Sequence, residues 1–155
     1  MKFVTREDIE APIDHVFKVL TDFEGFERQA MRRGAEVRRL DELEVPGEGA
    51  RWALAFPFRG KPREMTVVCT EYDAPLRLNF ESVMSGLDGD MKVELVALSR
   101  GRTRLSLEIE FKPKTLSARL LVQSIKLAKA NISKRFQIKV AEFAKSTEEN
   151  YKRMA

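Results

Sequence analysis

The segment TRLSLEIEFKPKTLSARLLVQSIKLAKANISKRFQIKVAEF, residues 103–143, decides the fold because its hydrophobic period changes part of the way along. In residues 103–112 apolar and polar side chains alternate, which is typical of a β-strand with one buried and one solvated face. Pro113 ends that strand, since proline cannot donate a hydrogen bond to a sheet. From Leu116 to about Lys152 there is no glycine or proline, and apolar residues recur every three or four positions. The segment therefore predicts a last strand followed by a long amphipathic helix.

The predicted C-terminal helix carries one apolar stripe with basic flanks. The stripe consists of Leu121, Ile125, Ala128, Ile132, Phe136, Val140 and Phe143. The flanking cations are Lys126, Lys129, Lys134, Arg135 and Lys139. The helix is predicted either to be continuous or to break near residues 131–133. Residues 112–155 have a net charge of +8 and residues 1–111 a net charge of −4, which suits either a solvated helix face or a weak, salt-sensitive contact with an anionic membrane.

Upstream of the helix, short strands follow one another without helices between them. An opening strand is predicted at residues 3–10. Six more are predicted at residues 35–44, 50–58, 62–72, 76–84, 91–99 and 103–112. The separators have the composition of turns: residues 46–49, Gly60, 73–75, 86–90 and 100–101. Consecutive strands of this kind predict an antiparallel meander rather than a parallel sheet.

Two short helices are predicted between the first strand and the meander, in the segment EAPIDHVFKVLTDF, residues 10–23, and the residues after it. In the first helix the apolar side chains fall at helical spacing: Ile13, Val16, Phe17 and Leu20. Pro12 suits the first helical position. Thr21 and Asp22 then open a second helix, which runs through Phe23, Phe26 and Met31 and ends at Gly34.

The order of strand, two helices, six strands and long helix predicts an α+β fold of the helix-grip type. In this prediction a seven-stranded antiparallel sheet curls around the C-terminal helix, and residues 1–155 are expected to form a single domain. The Ala-Pro, Val-Phe and Leu-Thr-Asp of residues 10–23 resemble the opening signature of the START/Bet v 1-like superfamily, in its polyketide cyclase/dehydrase-like branch. One departure is the segment FERQ, residues 26–29, where many relatives have a tryptophan.

That resemblance implies a hydrophobic ligand cavity and seldom a defined reaction, since the superfamily includes lipid carriers, ubiquinone-binding and hormone-binding proteins, aromatic polyketide cyclases and chaperone co-activators. The strand faces and the helix stripe predict the ligand-binding residues Trp52, Leu54, Phe56, Met65, Val67, Phe80, Met91, Val93, Leu107, Ile132 and Phe136. Lys92, Glu94, Glu108 and Glu110 are predicted to point outward. Arg63 and Glu71 share the parity of Met65 and are predicted at the rim, projecting either inward or into water.

No residue is predicted to be catalytic, to bind a cofactor or to ligate a metal, because phosphate-binding, nucleophile and metal-site motifs are absent from the sequence. His15 is predicted to be an exposed surface residue, and Cys69, the single cysteine, a buried core thiol. No apolar run of about 18 residues or signal-peptide core is present, so the protein is expected to be cytoplasmic.

Three functions remain open on the sequence. The first is binding or transport of a hydrophobic small molecule, such as a lipid, an isoprenoid or an aromatic compound, in an internal cavity. The second is an enzyme of the polyketide cyclase or dehydratase type, and the third is an adaptor with a vestigial pocket. Nucleic acid is not an expected partner, because no aromatic reader interleaves with the helix cations. A monomer or a homodimer is expected.

Overall fold

In a computed structural model, which describes residues 1–154, the chain forms a seven-stranded sheet and four helices. The elements in chain order are β1 (Lys2–Ile9), α1 (Ile13–Leu20), α2 (Phe23–Arg32), β2 (Glu36–Arg39), β3 (Arg51–Phe58), β4 (Lys61–Asp73), β5 (Arg77–Met84), β6 (Leu87–Ser99), β7 (Arg102–Pro113), α3 (Leu116–Leu127) and α4 (Lys129–Met154). This is the predicted order, and the predicted helix-grip arrangement is confirmed.

All strand pairs are antiparallel, and the order across the sheet is β1-β7-β6-β5-β4-β3-β2. Six strands therefore follow the meander, while the N-terminal strand pairs with the last one. The register confirms the predicted outward face: Lys92 lies opposite Glu108, and Glu108 forms an ion pair with Lys2 at 3.8 Å. On the inner face Val93 lies opposite Leu107 and Leu78.

The turn between β5 and β6 is shorter than predicted. Residues 86–90 were expected to form it, but Ser85 and Gly86 alone make the turn, with φ angles of 46° and 80°. A two-residue turn with two positive φ angles matches the twist of the strands that it joins. Gly89 consequently lies inside β6, opposite Ser82, where a Cβ atom would come within 2.3 Å of the serine hydroxyl oxygen.

A bulge in β4 changes which of its residues face inward. Cys69 lies opposite Phe80, whereas Glu71 lies opposite Asn79, so Thr70 is an extra residue. The parity that assigned Glu71 to the face of Met65 is therefore broken. Glu71 is exposed, and the next residue, Tyr72, packs against the core instead.

The predicted strand at residues 35–44 is only four residues long, because a side-chain carboxylate replaces a backbone carbonyl as hydrogen-bond acceptor at its end. Asp41 accepts hydrogen bonds from the backbone N–H groups of Arg51, at 2.7 Å, and Leu43, at 2.9 Å. The carboxylate thus accepts from the N–H group of Arg51, which would otherwise be available for a backbone hydrogen bond between β2 and β3. It also fixes the loop beyond β2 against β3.

The C-terminal helix is interrupted at Ala128, one turn before the predicted break. The second part, α4, buries Val140, Ala144 and Thr147 against the concave face of the sheet. The first part, α3, turns away and covers a second, smaller core, which consists of Met84, Leu87, Ala118 and Val122. The apolar residues of α3 and α4 therefore pack in two separate cores, and they do not form the single stripe that the sequence predicted.

His15 is not the exposed residue that the sequence predicted. It lies on α1, and its ring centroid is 5.0 Å from that of Tyr151 in the last turns of α4. Its Nε2 atom is buried and has no hydrogen-bond partner among residues 1–154. The prediction was wrong because it took α1 as if it stood alone, whereas α4 extends across it.

Thr103→Val should lower the free energy of unfolding by about 1–3 kcal/mol, because it removes a buried hydrogen bond without changing the side-chain shape. The Thr103 hydroxyl donates to the carbonyl of Ala11 at 2.8 Å, and both residues are fully buried. Urea titration measures the change. Thr66→Val, at an exposed threonine of β4, is the matched control and should stay within about 0.5 kcal/mol. Equal effects at the two sites would contradict this role of Thr103.

Candidate ligand cavity

A cavity of about 450 Å³ lies between the concave face of the sheet and the helices α2 and α4. Its lining residues are Leu20, Phe23, Phe26, Glu27, Ala30, Val37, Trp52, Leu54, Met65, Val67, Leu78, Phe80, Met91, Val93, Leu105, Leu107, Phe136, Lys139, Val140 and Phe143. Eighteen of these twenty side chains are apolar. The cavity opens between α2 and α4, where the lining residues Phe26 and Lys139 are exposed.

Nine of the eleven predicted site residues line this cavity: Trp52, Leu54, Met65, Val67, Phe80, Met91, Val93, Leu107 and Phe136. Phe56 and Ile132 do not. Phe56 has the correct parity but lies too far along β3, where it packs on the second core beneath α3. Ile132 lies in the first turn of α4, on the same helix face as Phe136 but one turn nearer the break at Ala128, and the cavity does not extend that far along the helix.

The sequence reasoning missed the contribution of α2. Phe23, Phe26, Glu27 and Ala30 lie at spacings of three, four and seven residues and share one helix face. All four line the cavity. This spacing was visible in the sequence, but Glu27 interrupts the apolar pattern and hides the stripe.

Aromatic side chains form the wall next to α2. The Phe23 ring meets Trp52 edge-on, with 5.1 Å between centroids, and Phe80 at 6.1 Å. Across the opening, Phe26 stacks on Phe143 of α4 at 6.3 Å. These contacts tie α2 to the sheet and to α4 without filling the space between them.

An ionic cluster lies beside the opening, made of Glu27, Arg39 and Asp41 together with the indole of Trp52. Oε2 of Glu27 accepts from Nη1 of Arg39 at 3.2 Å and from Nε1 of Trp52 at 3.1 Å. Nε of Arg39 donates to Oδ2 of Asp41 at 2.5 Å. The guanidinium carbon lies 5.1 Å from the Trp52 ring centroid, within the range of a cation–π contact. The cluster thus orients both Trp52 and Glu27.

The pKa of Asp41 is lowered to about 2. Burial acts in the opposite direction and would raise it, but the hydrogen bonds from Arg39 and from the backbone N–H groups of Arg51 and Leu43 outweigh that effect. The same hydrogen bond with Asp41 raises the pKa of Arg39. Asp41 is therefore an anion that holds Arg39 in place beside the cavity.

Cys69 and Arg63 offer no reactive centre in this region. Burial raises the pKa of the Cys69 thiol to about 11, and Sγ donates to the carbonyl of Glu71 at 3.3 Å, so the thiol is a core residue as predicted. Arg63 lies opposite Phe56 in the sheet, outside the cavity lining, and its Nε donates to the Phe58 carbonyl at 3.3 Å.

Metal sites and membrane-spanning helices are both absent among residues 1–154. No three His, Cys, Asp or Glu side chains in this range are grouped as metal ligands would be. No helix of the same range combines the length and the apolar character needed to cross a membrane.

Comparison with known proteins gives a family and a fold. Residues 1–146 match the family model described as polyketide cyclase / dehydrase and lipid transport. Among curated proteins, none is significantly similar in sequence. Similar solved structures include a protein of Thermus thermophilus, with 17% identity, a TM-score of 0.65 and coverage of 100% of this chain and 99% of that one.

Two further structures are similar over nearly their whole length. The ZhuI aromatase/cyclase of a Streptomyces species has 15% identity, a TM-score of 0.65 and coverage of 96% of this chain and 93% of that one. A START superfamily protein of Mycobacterium smegmatis has 12% identity, a TM-score of 0.63 and coverage of 99% of both chains. At these identities the likeness shows a shared fold.

Asp41→Asn should flatten the dependence of stability on pH between about pH 4 and pH 2. The pKa of Asp41 is about 2 in the folded protein and about 4 in an unfolded chain. The stability that its charge contributes is therefore complete above about pH 4 and is lost as the pH falls through about 2. Thermal midpoints at stepped pH values measure the slope.

The control for this substitution is Asp14→Asn, at an exposed residue of α1 that belongs to none of the ion pairs of residues 1–154. Its slope should stay closer to that of the wild type. If the wild type and Asp41→Asn lose stability in parallel over the same pH range, the ionic cluster does not hold the Asp41 charge as described.

Proposed function

Because the chain belongs to the polyketide cyclase/dehydrase and lipid transport family, we propose that it binds a hydrophobic small molecule, such as a lipid, an isoprenoid or an aromatic compound. The observation that carries this proposal is the cavity of about 450 Å³ in which eighteen of twenty lining side chains are apolar. Its volume falls within the range of small-molecule sites, which are mostly apolar and carry few polar groups.

The chemistry of the walls supports an apolar occupant. Water in a cavity is stabilised only where it finds several polar partners, and the lining side chains on the sheet side of this cavity are apolar. An apolar ligand would regain the dispersion contacts that the wall atoms lack. The proposed ligand-contacting residues are the nine predicted ones that line the cavity together with Phe23, Phe26, Val140 and Phe143.

A binding role is better supported than catalysis or an adaptor role. Catalysis of a cyclisation or dehydration needs a group directed at the substrate that transfers a proton or stabilises developing charge. Here the two charged lining residues are both engaged in ion pairs, Glu27 with Arg39 at 3.2 Å and Lys139 with Glu142 at 3.7 Å. An adaptor with a vestigial pocket would fill the space with its own side chains, and the open cavity favours a ligand instead.

We also propose weak contact with an anionic membrane, from which a carrier would collect its ligand. Residues 112–141 contain eight Lys or Arg and no Asp or Glu. On α3, Leu116, Leu120 and Leu127 are exposed by 73%, 59% and 92%, and their spacing places them on one helix face. An apolar ridge beside cations is the composition of helices that lie at a membrane surface.

For the compartment we propose the cytoplasm, supported by the unpaired thiol of Cys69, which a reducing environment preserves. The proposed oligomeric state is a monomer or a homodimer, without nucleic acid.

Val67→Phe should weaken binding of N-phenyl-1-naphthylamine at least about tenfold, because the larger ring takes up space in the cavity. Trp52, the only tryptophan, lies beside Val67 on the neighbouring strand, so energy transfer from its indole to the probe reports occupancy. Val83→Phe is the matched control, because Val83 is exposed on the outer face of the sheet. Native mass spectrometry of the gently purified protein shows whether an apolar compound co-purifies with it. If the wild type neither binds the probe nor carries such a compound, the proposed function is refuted.

Co-sedimentation with phosphatidylserine-containing vesicles at low salt should be abolished when five helix cations are replaced by Gln: Lys126, Lys129, Lys134, Arg135 and Lys139. Each cation near an anionic membrane surface contributes about 1 kcal/mol to the attraction. Wild-type binding should weaken as salt screens it. The control variant replaces five exposed cations elsewhere, Arg6, Lys61, Arg77, Lys92 and Arg100, by Gln and should still bind. Absence of wild-type binding at low salt would remove the membrane proposal, and binding that ignores salt would remove its electrostatic mechanism.

A further inference from the structure

Glu27 is a carboxylate placed in the apolar stripe of a helix. Phe23, Phe26 and Ala30 share its face of α2, and all four side chains line the cavity. The Glu27 side chain is only 20% exposed. A stripe position on an amphipathic helix normally carries an apolar residue, so the packing of α2 does not explain a charge there.

The two carboxylate oxygens of Glu27 have different surroundings. Oε2 accepts from Nη1 of Arg39 and from Nε1 of Trp52, at 3.2 and 3.1 Å. No donor within residues 1–154 forms a hydrogen bond to Oε1. An ionised carboxylate offers about four acceptor positions, so Glu27 retains accepting capacity beside the cavity.

The protein holds Glu27 in one orientation. Arg39 is fixed from the other side by Asp41 and lies over the rings of Trp52 and Phe23, at 5.1 and 6.0 Å. Trp52 in turn is packed edge-on against Phe23. An acceptor that is oriented before a ligand arrives loses little freedom on binding, which favours affinity and specificity.

The charge of the cluster favours a donor over an anion. Two carboxylates share one guanidinium, which leaves a net negative charge at this side of the opening. Lys139 is the other charged lining residue, and its ammonium pairs with Glu142 in solvent. A ligand carboxylate next to Glu27 would be repelled, whereas a hydroxyl or amine would find an acceptor.

We infer that Glu27 binds the head group of an amphiphilic ligand: the apolar body fills the cavity, and a hydroxyl or amine hydrogen donates to Oε1 of Glu27. This inference rests on the proposed function and narrows its ligand class to hydrogen-bond donors. A site that offers a buried acceptor discriminates against analogues that lack the matching donor, because the acceptor is then left without a partner.

The test compares two probes with the same apolar chain, 1-decanol and decyl methyl ether, of which only the alcohol can donate. Affinities are measured by displacement of N-phenyl-1-naphthylamine. The quantity of interest is the ratio of the alcohol affinity to the ether affinity, because this ratio cancels changes that affect the whole cavity. Decanoate is the third probe. Its head group is an anion, so its affinity shows whether the site accepts or repels a negative charge.

Glu27→Met keeps an unbranched side chain of similar length and removes the acceptor. The alcohol-to-ether ratio should fall about tenfold or more, the size expected for a hydrogen bond to a charged group. Glu27→Gln, which keeps a neutral acceptor and can still pair with its neighbours, should show a smaller fall in the same direction. Lys139→Met removes the other charged lining residue and should leave the ratio unchanged. Circular dichroism confirms that each variant is folded.

The outcomes separate this inference from the proposed function. If both decyl probes bind the wild type but the ratio does not change in either Glu27 variant, the Glu27 site is refuted and the apolar cavity stands. If decanoate binds most tightly and loses affinity in Lys139→Met, the head group is an anion held by Lys139, and the Glu27 site is again refuted. If no probe binds the wild type, the proposed function itself fails.

Discussion

Pairing of the first strand with the last is the constraint on which the remaining structure depends. β1 and β7 come from opposite ends of the strand sequence, yet they pair along the whole of β1, from Lys2 opposite Glu110 to Ile9 opposite Thr103. The chain leaves β1 at the end where Thr103 holds the carbonyl of Ala11, so α1 must begin against the inner face of the sheet. α1 and α2 then span the gap between β1 and β2, which are the two edges of the sheet. Without this pairing, α2 would have no fixed position opposite α4 and the cavity would have no second wall.

The cavity follows from a mismatch between the sheet and the helices that cover it. Seven strands present an apolar face that is too wide for one helix. α4 contributes Val140 and Ala144 to the main core, and the break at Ala128 sends α3 to a separate cluster instead of across the remaining face. The middle strands, with Val67 and Phe80 on their inner face, are thus left facing a space that α2 and α4 border. A protein interior is ordinarily close-packed, so an apolar space maintained by two rigid walls is the feature from which a binding role follows.

Alternation along single strands predicted most of the cavity, because a two-residue period assigns a face without knowledge of the rest of the molecule. It could not show where along a strand the cavity ends, so Phe56 was included. Features that depend on the contact between two elements could not be predicted from the sequence either. The bulge at Thr70 reverses the parity of the residues after it and leaves Glu71 exposed. The place of His15 depends on how far α4 extends over α1. The helix break at Ala128 lies in a segment without glycine or proline, and the helical period could not show that the cavity ends before Ile132.

The ionic cluster is a part of the cavity wall that burial of apolar surface does not account for. Asp41 alone is sufficient to pair with Arg39, and it also fixes the loop beyond β2 through the backbone of Arg51 and Leu43. An apolar residue at position 27 would complete the stripe of α2 and leave that pair intact, and partly buried charges often cost more in desolvation than their pairing returns. Departures from local consistency are expected at functional sites. What Glu27 adds to the fold is the acceptor for the buried Trp52 indole, and what it adds to the cavity is an oriented acceptor in a wall that is otherwise apolar.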